Sequence, residues 1–422
     1  MRRLLSHRDA RTYLAGQSLS VIGDSALWLA MGIWVKILTG SNAAAGLTFF
    51  AFTCGIMVAP VSGMIVDRLR RRPVLIAANL AAAAGVCALL LVHGRGLVWL
   101  IYLVMFGYGA ANSLITSAQT ALLTQLVPAD LLGDANSLLQ VASQGLRVIS
   151  PLLGAGLLAW VGAQPVILLD AGTFVIAAGT VAALRLREPR PGRGAAGSGR
   201  DGRHTWLAEF SAGIRHVART PALRRPLIAC LIAVSAFGFF ETVPFAVVAE
   251  GLHRRPEFLG VLISLQGVGA LAGGVLAAPV MRRTGEPALM ALGLAACAAA
   301  ALLLITASLP LVGLACAGLG LSIVWINVGA ITLIQRRTPA GLIGRVDAAL
   351  EFAIVVPQAA SIALGAVLIA VVSYRILLLA MAAVIAFSAG YLASRREKAD
   401  CQTAASALQQ ADSMPRESAG TF

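Results

Sequence analysis

Charge is scarce in this chain: only 12% of its 422 residues are Asp, Glu, Lys or Arg, against about 25% in an ordinary soluble domain. With 58% hydrophobic residues and a mean hydropathy of +0.83, that scarcity excludes a soluble multidomain enzyme. No Gly-x-x-x-x-Gly-Lys-Ser/Thr loop is present, which excludes a built-in ATPase of that type and leaves an ion gradient or the substrate's own gradient as the energy source. The six cysteines lie far apart with no C-x-x-C pair and no His at ligand spacing, so they read as small apolar packing residues, with no metal site or redox chemistry. All five His fall near or outside the edges of the apolar stretches. An intramembrane enzyme would want a His or Cys beside acids, and neither an enzyme nor a cofactor is expected.

What the chain has instead is apolar runs of roughly 20 residues, each long enough to cross a hydrocarbon core of roughly 30 Å as a helix. Twelve such spans are read at about 11–38, 45–66, 74–93, 97–126, 136–162, 166–185, 226–249, 257–280, 286–306, 310–335, 347–372 and 375–394. Backbone groups cannot stay unpaired in lipid, and stretches this long do not alternate as barrel strands do. The expected fold class is therefore all-α and polytopic. The first span follows Arg2, Arg3, Arg8 and Arg11 with no small-residue cleavage site, and it is read as retained.

A net charge of +14 suggests nucleic acid until the arginines are placed. With a cytoplasmic amino terminus, 27 of the 33 Lys and Arg fall on one side, four (Arg95, Arg254, Arg255 and Arg375) on the other, and two, Lys36 and Arg147, within spans. This is the asymmetry of the positive-inside rule; a nucleic-acid partner would want one continuous basic face with interleaved aromatics. Both termini are expected in the cytoplasm, in a bacterial-type inner membrane, with the bilayer as partner, no nucleic acid, and a monomer.

The chain repeats itself at an offset of 211 residues: Pro128 falls on Pro339, Gly133 on Gly344, Gly154 on Gly365 and Gly63 on Gly274. Each half holds six spans, so the halves are parallel repeats about an axis along the membrane normal. The domain reading is a six-helix bundle over 1–185, a cytoplasmic linker over 186–225, a second six-helix bundle over 226–395, and a disordered cytoplasmic tail over 396–422. Within the linker, Trp206, Leu207, Phe210, Ile214 and Val217 share one helical face. That helix lies either on the inner membrane surface or against the cytoplasmic ends of the spans.

Between spans 2 and 3 the sequence reads GMIVDRLRRRP (63–73). It resembles the loop 2–3 signature Gly-x-x-x-Asp-Arg-x-x-Arg-Arg of the major facilitator superfamily, matched at Gly63, Asp67, Arg68, Arg71 and Arg72. The stretches 16–41, 126–138, 168–179 and 215–227 are similar to a branch of that superfamily holding bacterial macrolide-type and siderophore-type exporters. SPLLGAG (150–156) resembles the antiporter signature of span 5 at Pro151, Gly154 and Gly156, with Ser150 and Ala155 as departures, and span 4 lacks the Arg that drug–proton antiporters often carry. The resemblance implies twelve helices in two bundles and a proton-coupled exporter of a small amphiphilic drug, antibiotic or siderophore, working by alternating access. Uptake by the same fold, or a sensor or scaffold that has kept it, is the alternative. The resemblance also places the 2–3 loop against the start of span 11, where the helix terminus attracts Asp67 and Asp347 and Glu351 offer partners to Arg68, Arg71 or Arg72, a charge latch between the halves.

Ionisable groups inside spans are costly and call for a reason. Asp24 lies roughly 20 Å into span 1 at about 1.5 Å per residue, and Glu241 lies at a similar depth in span 7, its repeat partner. Trp28 shares a helical face with Asp24, and Phe237 and Phe245 share one with Glu241. Either these groups line a central cavity, one acid taking up a proton in one state and yielding it in the other, or each acid is hydrogen-bonded to a neighbouring Ser or Thr. Arg147 pairs in the cavity or braces spans, and Asp170 caps or ties span 6 near its outer end. Lys36 reaches back to the surface. Gln119, Gln266 and Asn327 line a pathway or join helices.

Overall fold

The computed structural model describes residues 8–59, 62, 66, 69–126, 132–184, 214–339 and 342–412, and no strand occurs among them. The first half comprises α1 (Arg8–Thr39), α2 (Asn42–Ile56), α3 (Arg71–Cys87), α4 (Val98–Leu126), α5 (Leu132–Val161) and α6 (Ala163–Ala183). The second comprises α7 (Pro221–Phe237), α8 (Leu259–Thr284), α9 (Glu286–Leu303), α10 (Leu309–Arg337), α11 (Ile343–Leu368) and α12 (Tyr374–Asp412). Ten helices among the described residues are long and apolar enough to cross a membrane; two shorter apolar stretches, Asn42–Ile56 and Gly145–Val161, stand where spans 2 and 5 are expected.

Packing repeats between the halves. In the first, α1 packs on α5 and α6, α4 on α2 and α3, and α3 on α6; in the second, α7 packs on α11 and α12, α10 on α8 and α9, and α9 on α12. Each of these pairs has its counterpart six helices later, and the two main seams between halves, α5 with α8 and α2 with α11, exchange under the same operation. Two parallel six-helix bundles related by a pseudo-two-fold axis account for all of these pairings.

The glycines of the repeat show why sequence offset becomes geometry. Lipid gives helices little hydrophobic reason to associate, so close approach at small residues carries the packing. A Cβ on Gly154 of α5 would stand 2.7 Å from the Cα of Ala26 in α1. Its partner at the 211-residue offset, Gly365 of α11, faces Phe239 at the end of α7, where a Cβ would come within 3.5 Å of the Phe239 Cα. Because Gly154 meets backbone, no rotamer change makes room. Gly154→Val is therefore expected to cost about 1–3 kcal/mol or more through overpacking and to lower the yield of monodisperse protein in mild detergent, read by fluorescence-detected size exclusion. Gly156→Val, at a position where a Cβ would meet no described atom within 4 Å, should leave the yield near wild type.

Hydrogen bonds add to this packing. Ser361 Oγ donates to the Ser235 carbonyl at 2.6 Å and Ser388 Oγ to the Ala229 carbonyl at 2.5 Å, tying α11 and α12 to α7. Gln119 Nε2 of α4 donates to Gln17 Oε1 of α1 at 2.6 Å, so this amide joins helices.

Two differences from the sequence reading stand out. The last helix does not stop with its apolar stretch: residues 396–412, expected to be disordered, continue α12 as helix to Asp412. Ala, Gln, Glu, Lys and Arg dominate that segment, and these are strong helix formers without burial. Span 7, expected as one continuous helix, is broken after Phe237. A 3₁₀ turn (Gly238–Glu241), a short α-turn (Val243–Ala246) and a π-turn (Val247–Gly251) complete it. The linker over 185–213 lies outside the described residues; residues 214–219 are helical.

Candidate functional site

The break in span 7 follows from Pro244. Proline lacks an N–H, and inside a helix its ring collides with the carbonyl of the residue four positions earlier. The interruption sets Glu241 on the 3₁₀ turn, and its side chain faces a cavity of about 400 Å³ between the bundles. Trp28, Leu29 and Phe49 of the first half line that cavity, opposite Phe237, Phe240 and Phe245 of the second. Glu241 is the one carboxyl among its described lining residues, which include no basic side chain, and three amides, Gln266, Asn327 and Gln358, add polarity. Glu241 is half-buried and has no hydrogen bond or ion pair with any described residue. An apolar, aromatic cavity with a few placed polar groups is the ordinary form of a small-molecule site.

The end of the molecule carrying the turns at 40–41, 252–256 and 369–373 closes the cavity; it is termed the upper end. Trp28 packs on Phe49 with centroids 4.6 Å apart, and Phe49 approaches Phe245 of the other half at 6.0 Å. Above them, Thr242 leaves no room at Gly46, where a Cβ would stand 2.6 Å from its hydroxyl. Asn42 Nδ2, at the start of α2, donates to Glu250 Oε1 on the π-turn at 3.1 Å. Lys36 Nζ donates to the Gly40 carbonyl at 2.7 Å, a cation at the carboxyl-terminal end of α1.

Asp24 does not join Glu241 in the cavity wall. It lies within the first bundle, where Tyr108 of α4 donates its hydroxyl to Asp24 Oδ1 at 2.7 Å and Ser20 donates to Asp24 Oδ2 at 3.4 Å. The same tyrosine oxygen stands 3.5 Å from Asp170 Oδ1 of α6. Asp170 is fully buried, and its Oδ2 has no hydrogen-bond partner among the described residues. The structure thus ties span 6 to spans 1 and 4 through Asp170, and in doing so it sets two carboxyls around one hydroxyl.

The remaining positions divide as follows. Arg147 is exposed on α5 and exerts a Coulombic pull on Asp24, but has no hydrogen bond or ion pair among the described residues. Pro151 lies at the α5–α8 seam, its carbonyl facing Gly260, while Gly154 abuts α1 and Gly156 faces open space. Gly63, Asp67 and Arg68, and the side chain of Asp347, lie outside the described residues. Arg72, read as a latch partner, donates from Nε to the Val181 carbonyl at 3.2 Å and from Nη2 to the Ala182 carbonyl at 2.5 Å. These contacts cap the carboxyl end of α6 within its own bundle, where a cation meets the helix dipole. Glu351 is exposed on α11.

Tyr108, Phe49, Phe240 and Gln358 belong to these sites and were not singled out by sequence reasoning. Tyr108 carried a usable signal: a tyrosine deep in an apolar span must find a partner for its hydroxyl. Phe49 and Phe240 carried none, since an aromatic ring facing lipid and one facing a cavity look alike in sequence.

Residues 13–361 match the family model of the Major Facilitator Superfamily. The MFS-type transporter YfiS of Bacillus subtilis is 23% identical over 277 residues, which cover 63% of each chain. Macrolide efflux protein A of Streptococcus pyogenes is 28% identical over 178 residues, 42% of this chain and 44% of that protein; these alignments thus span less than two thirds of either relative. A bacterial homologue of the iron transporter ferroportin, solved in its inward-facing state, superposes with a TM-score of 0.69 at 16% identity, covering 92% of this chain and 98% of that one. Its outward-facing state, at the same identity and 92% and 100% coverage, gives 0.59. A match over most of the chain, two six-helix repeats and a cavity between them lead to one conclusion: this chain belongs to the Major Facilitator Superfamily.

Proposed function

We propose that this multi-pass transporter is a proton-coupled exporter of small amphiphilic compounds, set in a bacterial inner membrane with both termini in the cytoplasm. The observation that carries this reading is the cavity between the bundles, whose described wall is aromatic and aliphatic apart from Glu241, three amides and the thiols of Cys230, Cys297 and Cys316. Flat aromatic surface suits an apolar body, and a half-buried carboxyl with no partner among the described residues suits a cationic group. The relatives lean the same way, since one of them is a macrolide efflux protein. Arginine placement makes the upper end the outer one. Contacts across that end, from Asn42 to Glu250 and from Phe49 to Phe245, then describe a carrier closed to the outside. The better superposition on an inward-facing structure supports the same state. Transport proceeds as the bundles rock about the α2–α11 and α5–α8 seams, opening the cavity to each side in turn.

The test uses inside-out vesicles made with and without the protein. On imposing an inside-acid gradient, tetraphenylphosphonium or erythromycin should accumulate in the protein-bearing vesicles at least fivefold above the empty control, and nigericin should abolish the difference. Accumulation only under an outside-acid gradient, in right-side-out vesicles, would make the protein a proton-symporting importer, and no gradient-dependent flux in either orientation would remove the reading.

A further inference from the structure

The paired carboxyls of the first bundle do not face the substrate cavity, and their geometry asks for a different ligand. Tyr108 has one proton to give and gives it to Asp24 at 2.7 Å; the 3.5 Å approach of Asp170 to the same oxygen therefore leaves Asp170 without a donor from the tyrosine. Its other oxygen, Oδ2, is buried and has no partner among the described residues, and Thr173 spends its hydroxyl on the Asp170 backbone carbonyl at 2.8 Å. Two ionised carboxyls around a single hydroxyl would repel each other in a site with little water. A proton on Asp170 resolves the conflict: Asp170 then donates to the Tyr108 oxygen while Tyr108 donates to Asp24. A hydrated metal ion has no room there, because α1 approaches α6 so closely that a Cβ on Gly23 would stand 2.6 Å from Asp170 Oδ1.

We infer that Asp24 and Asp170, bridged by Tyr108, form a binding site for one exchangeable proton, and that this pair, not the cavity carboxyl of Glu241, carries the coupling ion. This rests on the proton-coupled reading above and assigns its parts. Loading adds one proton from water to the carboxylate pair; unloading returns it to water and leaves both acids ionised with Tyr108 still protonated. The groups that face the pair are Ser20 on its own helix, Tyr108 from α4, Thr173 from α6 and, by its charge, Arg147 from α5. On unloading, Asp24 gains a negative neighbour and is drawn toward Arg147, which strains its position on α1. Trp28 lies one turn further along the same helix and lines the cavity. Backbone contact of Ala26 with Gly154 fixes α1 between those two positions, so a shift at Asp24 reaches the Trp28–Phe49 wall. Glu241 is then left to meet the substrate.

Infrared difference spectroscopy of the reconstituted full-length protein on a pH jump reads the proton without requiring any substrate. Wild type should show one protonated-carboxyl band that disappears in Asp24→Asn and in Asp170→Asn, persists in Glu241→Gln and shifts in Tyr108→Phe. The last variant keeps the ring between Phe52 and Phe174, at 5.9 and 5.6 Å, so it separates loss of the bridge from loss of the fold. In vesicles the ratio of gradient-driven to downhill tetraphenylphosphonium flux should fall about tenfold in both Asp variants. A band that survives both Asp variants and vanishes in Glu241→Gln overturns the assignment, as does flux that follows a sodium gradient. If vesicles move no probe yet the band behaves as expected, the export reading fails and the proton site stands.

Discussion

Glu241→Gln is expected to weaken binding of a cationic amphiphile such as tetraphenylphosphonium by ten- to a hundredfold, while binding of a neutral compound of similar size changes less than threefold. Glutamine keeps the volume and hydrogen-bonding capacity of the side chain and removes its charge, so cavity shape is held constant. The carboxyl sits half-buried among Phe237, Phe240, Pro244 and Phe245, with no cation on the described wall to satisfy it. A charge-assisted contact in such surroundings contributes about 1.5–3 kcal/mol, and about 1.4 kcal/mol is tenfold in affinity. Tryptophan fluorescence is a direct readout because Trp28 lines the same cavity. Equal loss for charged and neutral ligands would mean that Glu241 supports the break in span 7 and not the substrate.

Much of this architecture is legible in sequence because lipid is a strict solvent. A span must satisfy its backbone internally and expose apolar side chains, so the positions of helices appear as hydropathy. The repeat is legible for a related reason: Gly154 and Gly365 both face a neighbouring segment at their seams, Gly154 so closely that a Cβ would collide with the Ala26 backbone and Gly365 at near-ordinary contact distance. The site is less legible. Asp24 and Glu241 stand out as charges at similar depth, which suggests a common cavity, yet helical periodicity gives no direction relative to partner helices. Asp24 turns toward α4 and α6, and Glu241 toward the bundle interface. What sets them apart is Tyr108, a residue that pairs with Asp24 only once α4 and α1 are packed. Arg72 makes the same point at the membrane edge: nothing in its motif announces the carbonyls of Val181 and Ala182 at the end of α6, to which it donates within its own bundle.

Covalent closure of the upper end is expected to stop transport completely and reversibly. Asn42 and Glu250 belong to different bundles and touch through a 3.1 Å hydrogen bond, an exposed contact that by itself contributes little to stability, about 1 kcal/mol or less. A carrier that alternates must break it in every cycle, since α2 and the end of span 7 have to part before the cavity opens on that side. Cysteines at 42 and 250, in a background without the native thiols Cys54, Cys87, Cys230, Cys297, Cys316 and Cys401, should react with a short bifunctional thiol reagent and reduce vesicle flux below a tenth of the uncrosslinked value. A reducible reagent should allow flux to return on addition of dithiothreitol. Ligand binding from the opposite face should survive the bridge, because the Glu241 cavity lies beneath the joined residues and its walls are not displaced. Breaking the contact gently makes the complementary case: Glu250→Ala removes the acceptor and shifts the population toward the outward-open form, measured as faster labelling of a cysteine at Thr242, which Gly46 now covers. Full flux through the crosslinked protein would mean that the bundles do not separate at this end, and the rocking mechanism would have to be abandoned in favour of a path through one bundle alone.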